Sequence, residues 1–258
     1  MKSRITFYIV LSLYLIPVTR AQKSYTVTVI EFIFSYGTAD FTEDFVYRYP
    51  QARVIKSDVR FTAFLHISQD WHLDFTNNLG IITGFGLRNV GLITDERLPV
   101  TENESLVSDF KIIRRLYTVG VPLSLKFGSF KNHLYFYAGG ELELALHFKE
   151  KYWSDSRHRT GDKIVYTSWF GEQTPLILPS LFAGIQLPMG FNFRVKYYLN
   201  DFLNNSYERN NTTGNFIISD LTRYENSQVV YFSVSWQFNT AYFKTKNWDP
   251  GQKTVAFR

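Results

Sequence analysis

From His133 to Lys149 the chain alternates residue by residue between two unlike faces. Leu134, Phe136, Ala138, Gly140, Leu142, Leu144, Leu146 and Phe148 fall on one. Tyr135, Tyr137, Gly139, Glu141, Glu143, Ala145, His147 and Lys149 fall on the other. Successive side chains of a strand point to opposite sides, so this period fits an extended strand and no helix. One face is apolar throughout, and the other carries two carboxylates. Whatever this strand belongs to must offer an apolar medium on one side and partners for charge on the other.

The same alternation recurs along the chain. Val119, Val121, Leu123, Leu125 and Phe127 alternate with Gly120, Pro122, Ser124, Lys126 and Gly128. Val59, Phe61, Ala63, Leu65 and Ile67 alternate with Asp58, Arg60, Thr62, Phe64 and His66. Near the end, Val230, Phe232, Val234, Trp236 and Phe238 alternate with Val229, Tyr231, Ser233, Ser235 and Gln237. Weaker segments lie at about 24–36, 73–88, 176–188 and 191–203. The pattern predicts eight strands. Short connections follow strands two, four and six, at about 69–72, 128–132 and 188–190. Long ones follow strands one, three, five and seven, at about 37–56, 89–111, 150–175 and 204–227. Short turns at one end and long loops at the other are the layout of an antiparallel, up-and-down transmembrane β-barrel, with both termini on the short-turn side. Each strand is long enough, since a tilted crossing takes roughly 9–11 residues.

A soluble up-and-down barrel or sandwich has the same period with its faces reversed. Three features favour the membrane. The polar faces are rich in Gly, Ser and Thr, their charges have both signs, and the apolar faces end in aromatic rings. Composition agrees: 24 Phe and 17 Tyr suit the aromatic girdles at two lipid–water interfaces. There is no Cys, so stability in an oxidising compartment must come from a closed sheet without free edges.

The first residues read as an export signal. Lys2 and Arg4 precede an apolar run from Ile5 to Ile16, Pro17 ends it, and Thr19-Arg20-Ala21 offers a cleavage site before Gln22. The run is short for a membrane anchor, which needs about 20 residues. No Cys follows it, which excludes a lipoprotein. The expected organisation is a signal peptide at 1–21, an outer-membrane barrel at 22–239 and a periplasmic tail at 240–258. Without Lys2, Arg4 and Arg20, 25 basic residues face 23 acidic ones, so the basic balance gives no reason to expect nucleic acid as a partner. The tail carries Lys244, Lys246, Lys253 and Arg258 against Asp249. It reads as a disordered extension or as a docking segment, with Tyr242, Phe243, Trp248 and Phe257 arguing against pure disorder.

Two stretches, Gly84-Phe85-Gly86-Leu87-Arg88-Asn89-Val90-Gly91 and Arg115-Leu116-Tyr117-Thr118-Val119-Gly120-Val121-Pro122-Leu123-Ser124-Leu125-Lys126-Phe127-Gly128, resemble the outer-membrane β-barrel domain family abundant in Bacteroidetes, in its small eight-stranded form. Tyr137-Ala138-Gly139-Gly140-Glu141 and the aromatic-ended last strand fit it too, and the resemblance covers about 24–239. It implies a fold and a cell-outer-membrane location, and no particular activity.

By parity Glu31, Arg60, Lys126, Glu141, Glu143, Arg194 and Lys196 share the inward face. The reading is a lumen charge network. An eight-stranded barrel is just wide enough for its own side chains, and buried charge must be paired. Lys126, on the neighbouring strand, is the nearest candidate partner of the two glutamates by topology, and Arg194 and Lys196 could reach across so narrow a barrel. Phe64, Tyr135, Tyr137, Phe182 and Tyr231, also inward by parity, favour a plug over a small-solute pore. His66 and His147 face inward as well. The loop group Ser154-Asp155-Ser156-Arg157-His158 lacks any Gly-x-Ser-x-Gly context, and no His-Glu-x-x-His occurs, so no catalytic residue, metal site or cofactor is assigned. Asn103-Glu104-Ser105 and Asn211-Thr212-Thr213 match the glycosylation pattern by chance in outer loops. The expected function is non-enzymatic: envelope structure, binding through the loops, or service to a membrane assembly. The expected partners are outer-membrane lipid and a protein met by the loops or the tail.

Overall fold

The computed structural model describes residues 23–99, 107–153, 163–208 and 220–239. The expected signal peptide at 1–21, the expected tail at 240–258, the Ser154–His158 group and the two glycosylation-pattern stretches at 103–105 and 211–213 lie outside these described residues. In chain order the elements are β1 (Lys23–Phe41), α1 (Glu43–Arg48), β2 (Arg53–Asp58), β3 (Arg60–Thr62), β4 (Ile67–Asp74), β5 (Leu79–Val90), β6 (Ile93–Pro99), β7 (Val107–Ser129), β8 (Leu134–Trp153), β9 (Lys163–Trp169), β10 (Ile177–Gln186), β11 (Phe191–Tyr198) and β12 (Tyr224–Asn239).

Eight of these strands close a ring. β1, β4, β5, β7, β8, β10, β11 and β12 pair antiparallel with their neighbours in sequence, and β12 returns to β1 from Val27↔Asn239 to Phe41↔Tyr224. The architecture is an antiparallel up-and-down transmembrane β-barrel. Its faces are inverted relative to a water-soluble one. Phe127 is 67% exposed and Phe136 62%, while their neighbours Lys126 and Tyr137 are buried. Leaving so many large side chains out of the core would be unfavourable in water, at about 25 cal/mol per Å² of apolar surface, but suits a lipid bilayer.

Three tight connections close the short-turn end. In the first, between β4 and β5, Thr76 Oγ1 accepts from the N–H groups of Asn78 and Leu79 at 3.1 and 2.9 Å. Phe130–Asn132 and Pro188–Gly190 form the other two, each a single 3₁₀ turn. The described ends of β1 and β12 lie at this end of the ring. At the opposite end β7 and β8 continue past the ring. With β2, β6 and β9 they form a five-stranded plate in the order β2-β6-β7-β8-β9. Among the described residues no helix is long and apolar enough to cross a membrane.

Several sequence expectations change. The expected turn at 69–72 is strand: β4 runs through it, and the chain reverses at 75–78 instead. The expected second strand is broken, since β3 pairs with β1 only at 60–62 and residues 63–66 bulge out before β4. Phe64 lies in that bulge and is 68% exposed, so it does not fill the lumen. The expected long loops at 89–111 and 150–175 contain β6, β9 and the outer ends of β7 and β8.

The largest change comes from one residue. Tyr117 pairs with His147 and Thr118 with Ala145, leaving Leu146 as the extra residue of a β-bulge in β8. An inserted residue exchanges the two faces beyond it. Phe148, Glu150 and Tyr152 therefore point inward. His147 and Lys149 point outward, against the parity reading, and the His147 ring packs on Trp169 with centroids 4.6 Å apart.

Candidate functional site

The centre of the barrel holds a compact ion cluster built from strands on opposite walls. Glu31 comes from β1, Arg88 from β5, Glu141 and Glu143 from β8, and Arg194 and Lys196 from β11. All are buried. Arg88 reaches across the lumen and contacts all three carboxylates: Glu31 Oε2 at 3.3 Å, Glu141 directly, and Glu143 Oε1 at 3.7 Å. Lys196 Nζ lies 2.7 Å from Glu141 Oε2 and also contacts Glu143. Arg194 Nη1 lies 3.8 Å from Glu31 Oε1. Hydroxyl groups take up further lone pairs. Ser233 donates to Glu31 at 2.5 Å, while Thr118 and Tyr198 donate to Glu143 at 2.8 and 2.9 Å. Three carboxylates thus face three cations, which meets the requirement that buried charge be paired and hydrogen-bonded.

The glutamates fit because of Gly120. It lies opposite Glu143 on β7, and a Cβ there would run into the Glu141 carboxylate and the Glu143 side chain. The glycine is the hollow that the two carboxylates occupy.

Two of the sequence-derived residues stand elsewhere. Lys126 does not reach the glutamates. Its Nζ lies 2.5 Å from Asp74 Oδ1 and 3.0 Å from both Tyr25 Oη and His72 Nδ1, near the short-turn mouth. The rings of Phe130 and Tyr135 sit 4.3 and 5.3 Å from the ammonium, so an aromatic cage surrounds one cation at this mouth. The reason is register. Lys126 pairs with Gly80 at the end of the β5–β7 ladder, six residues along β7 from Gly120. Arg60 is also separate: it donates to Asn89 O at 3.1 Å and to Asn89 Oδ1 at 2.5 Å in the barrel wall.

Sequence reasoning missed Arg88, although a signal existed. It follows Gly80, Ile82, Gly84 and Gly86 on the inward face of β5. A second buried network, at the long-loop end, was missed altogether. Arg114 Nε lies 2.6 Å from Glu150 Oε2, and its Nη1 lies 3.4 Å from Glu96 Oε1. Arg223 Nη2 lies 3.4 Å from Glu96 Oε2, and Tyr224 Oη donates to Glu96 at 2.7 Å. Burial alone would raise the Glu96 carboxyl, but Arg114 and Arg223 outweigh it and hold the group below its ordinary value of 4.5. Glu96, Glu150, Arg223 and Tyr224 fell in segments read as loops, and Arg114 lies just past one, ahead of the stretch where alternation was read. Among the described residues no group of three or more His, Asp or Glu side chains is arranged to hold a metal.

No family model matches the chain, and no curated protein does; the likeness of 84–91 and 115–128 to the Bacteroidetes family stays a resemblance. Solved structures similar to it in form are small outer-membrane proteins. The attachment invasion locus protein Ail of Yersinia pestis is 11% identical, with 83% of this chain and 98% of that one covered and a TM-score of 0.35. The outer membrane protein OprG of Pseudomonas aeruginosa is 9% identical, with coverage of 86% and 99% and a TM-score of 0.35. Neisserial surface protein A is 11% identical, with coverage of 84% and 99% and a TM-score of 0.31.

Proposed function

We propose that this chain is an exported outer-membrane barrel whose lumen is closed by its own side chains, and that it works without catalysing a reaction. The observation that supports this most directly is the ion cluster joining β1, β5, β8 and β11 across the lumen. A solute moving through would have to part three carboxylates from three cations, and the Lys126 cage stands behind them. In this reading the short turns face the periplasm and the plate of β2, β6, β7, β8 and β9 stands outside the cell. The plate offers a rigid surface for a partner, which favours loop-mediated binding over a purely structural role.

Planar bilayers test the closed lumen. The expected outcome is no steady channel, and reproducible currents of porin size would overturn it. Location is tested by fractionation. The mature protein is expected in the outer membrane and to migrate differently before and after boiling.

A further inference from the structure

The barrel wall is incomplete at one place. The β4–β5 ladder runs from Asp74↔Gly80 to Ile67↔Leu87 and stops, while β3 pairs only with β1. Beyond Leu87, side chains replace the missing backbone bonds between β3 and β5. Arg60 Nη1 donates to Asn89 O at 3.1 Å, and the Asn89 N–H donates to His66 Nδ1 at 3.2 Å. Since His66 Nδ1 accepts, its Nε2 carries the proton and donates to Thr62 Oγ1 at 2.8 Å.

Outside this seam lies a recess of about 370 Å³. Val59, Phe61, Phe64 and Ile113 supply apolar walls, and Arg60, Arg115 and Tyr117 supply the polar ones. No carboxylate lines it. Arg60 and Arg115, two cations of the same sign, line it together. Arg115 Nε is buried without a hydrogen-bond partner. Lys149 stands directly opposite Arg115 in the β7–β8 ladder and, because of the Leu146 bulge, on the same outer face. Arg60 is buried, and Arg115 and Lys149 are half-buried; charge drawn out of water needs an anion, and among the described residues no carboxylate forms an ion pair with any of the three.

The height of the recess indicates where the anion comes from. Two pairs further down the β7–β8 ladder, Tyr117 and His147 pack against each other with centroids 5.7 Å apart, and His147 packs on Trp169. Below them Val121, Leu123, Leu125 and Phe127 form the lipid-facing stripe of β7. Aromatic rings mark the lipid–water interface. The cations therefore sit at headgroup level, with the rings of Phe61 and Phe64, 58% and 68% exposed, beside them on the same recess.

We infer that the recess between Arg60 and Arg115 seats the anionic headgroup of a membrane lipid, with Lys149 as a flanking contact and Phe61 and Phe64 against its chain. This rests on the proposed membrane location, and the test separates the two. Full-length protein in a non-ionic maltoside is titrated calorimetrically with dihexanoyl phosphatidic acid, dihexanoyl phosphatidylcholine and inorganic phosphate. Phosphatidic acid is expected to bind about ten-fold or more tightly than phosphatidylcholine, the scale of a charge-assisted bond. Arg115→Gln is expected to abolish that preference and Lys149→Gln to reduce it. Both side chains lie on the outer face, so neither change disturbs the lumen. Arg60 also holds Asn89, so Arg60→Gln is read only where the unboiled protein keeps its folded mobility. Equal binding of the two lipids, or a preference unmoved by Arg115→Gln, overturns the site. Inorganic phosphate binding as tightly as phosphatidic acid overturns the lipid as its ligand. A protein that fails to fractionate with the outer membrane but keeps the preference in micelles would sink the location and leave the site.

Discussion

The two buried ion networks are made of the same residue types and do different work. The central one links strands that are far apart around the ring, β1, β5, β8 and β11, and it lies inside the membrane-spanning section. The long-loop one links β6, β7 and β8, which are neighbours, to the 220–224 segment. Cross-lumen pairs hold the barrel's cross-section, so their loss is felt by the whole ring. Pairs between adjacent strands are already backed by backbone ladders, so their loss is felt locally. Position in the sheet, more than the count of ion pairs, sets what a pair holds together.

Arg88→Met should break this comparison most sharply. It strips one cation from three carboxylates at once, and losing one side of a buried pair typically costs roughly 3–5 kcal/mol. Urea unfolding in lipid vesicles, read by the boiled and unboiled gel forms, is expected to shift by that order. A shift no larger than that of a surface substitution would deny the cluster its structural part. Gly120→Ala should come next. The added methyl must displace Glu141 or Glu143, and overpacking of this kind costs about 1–3 kcal/mol. The double variant with Glu141→Ala should recover part of the loss if the steric reading is right.

At the long-loop end the expected effect is smaller and local. The Glu96 carboxyl is held below its ordinary value, so its contribution is present above pH 4.5 and drains away as pH falls through the lowered value. Acidification, or Glu96→Gln, should expose β6 and the 220–224 segment to protease while the ring keeps its unboiled mobility. Loss of both together would show that the two networks are one unit. The smallest effect is expected at Asp70. It is buried in the lumen with Oδ1 unpartnered, and Asp70→Asn should leave the unfolding midpoint within about 0.5 kcal/mol of the parent or raise it.

The ring itself was readable because its two faces meet different media, so alternation survives in β7, β8 and β12 whatever the local detail. Reading failed where alternation persists but its meaning changes. Leu146, His147 and Phe148 continue the apolar–polar rhythm across the bulge, and nothing in their chemistry marks the inserted residue. Parity placed five members of the lumen cluster on the inward face and allowed Lys196 to reach across to the glutamates, but it named Lys126 first and left out Arg88. Which cation meets Glu141 depends on ladder register and on the width of the ring, and these place Arg88 and Lys196 beside it and Lys126 near the turns. The long-loop network was hidden for a different reason. Outside the bilayer both faces of a strand can be polar, and Lys111 to Arg115 therefore shows no clean period.

The pairing of β1 with β12 has a consequence for how the chain is made. Ser233 donates to Glu31 from 202 residues away, and the seam it belongs to joins the first described strand to the last. Bringing ends so distant together costs about 5 kcal/mol in chain entropy before any contact compensates. Contacts of such long range make folding slow. Until β12 arrives, β1 presents a bare edge, the kind that recruits strands from other molecules. A nascent chain of this design needs escort from synthesis to insertion, and a stop anywhere before Tyr224 would leave an open, self-adhesive sheet in place of a shortened barrel.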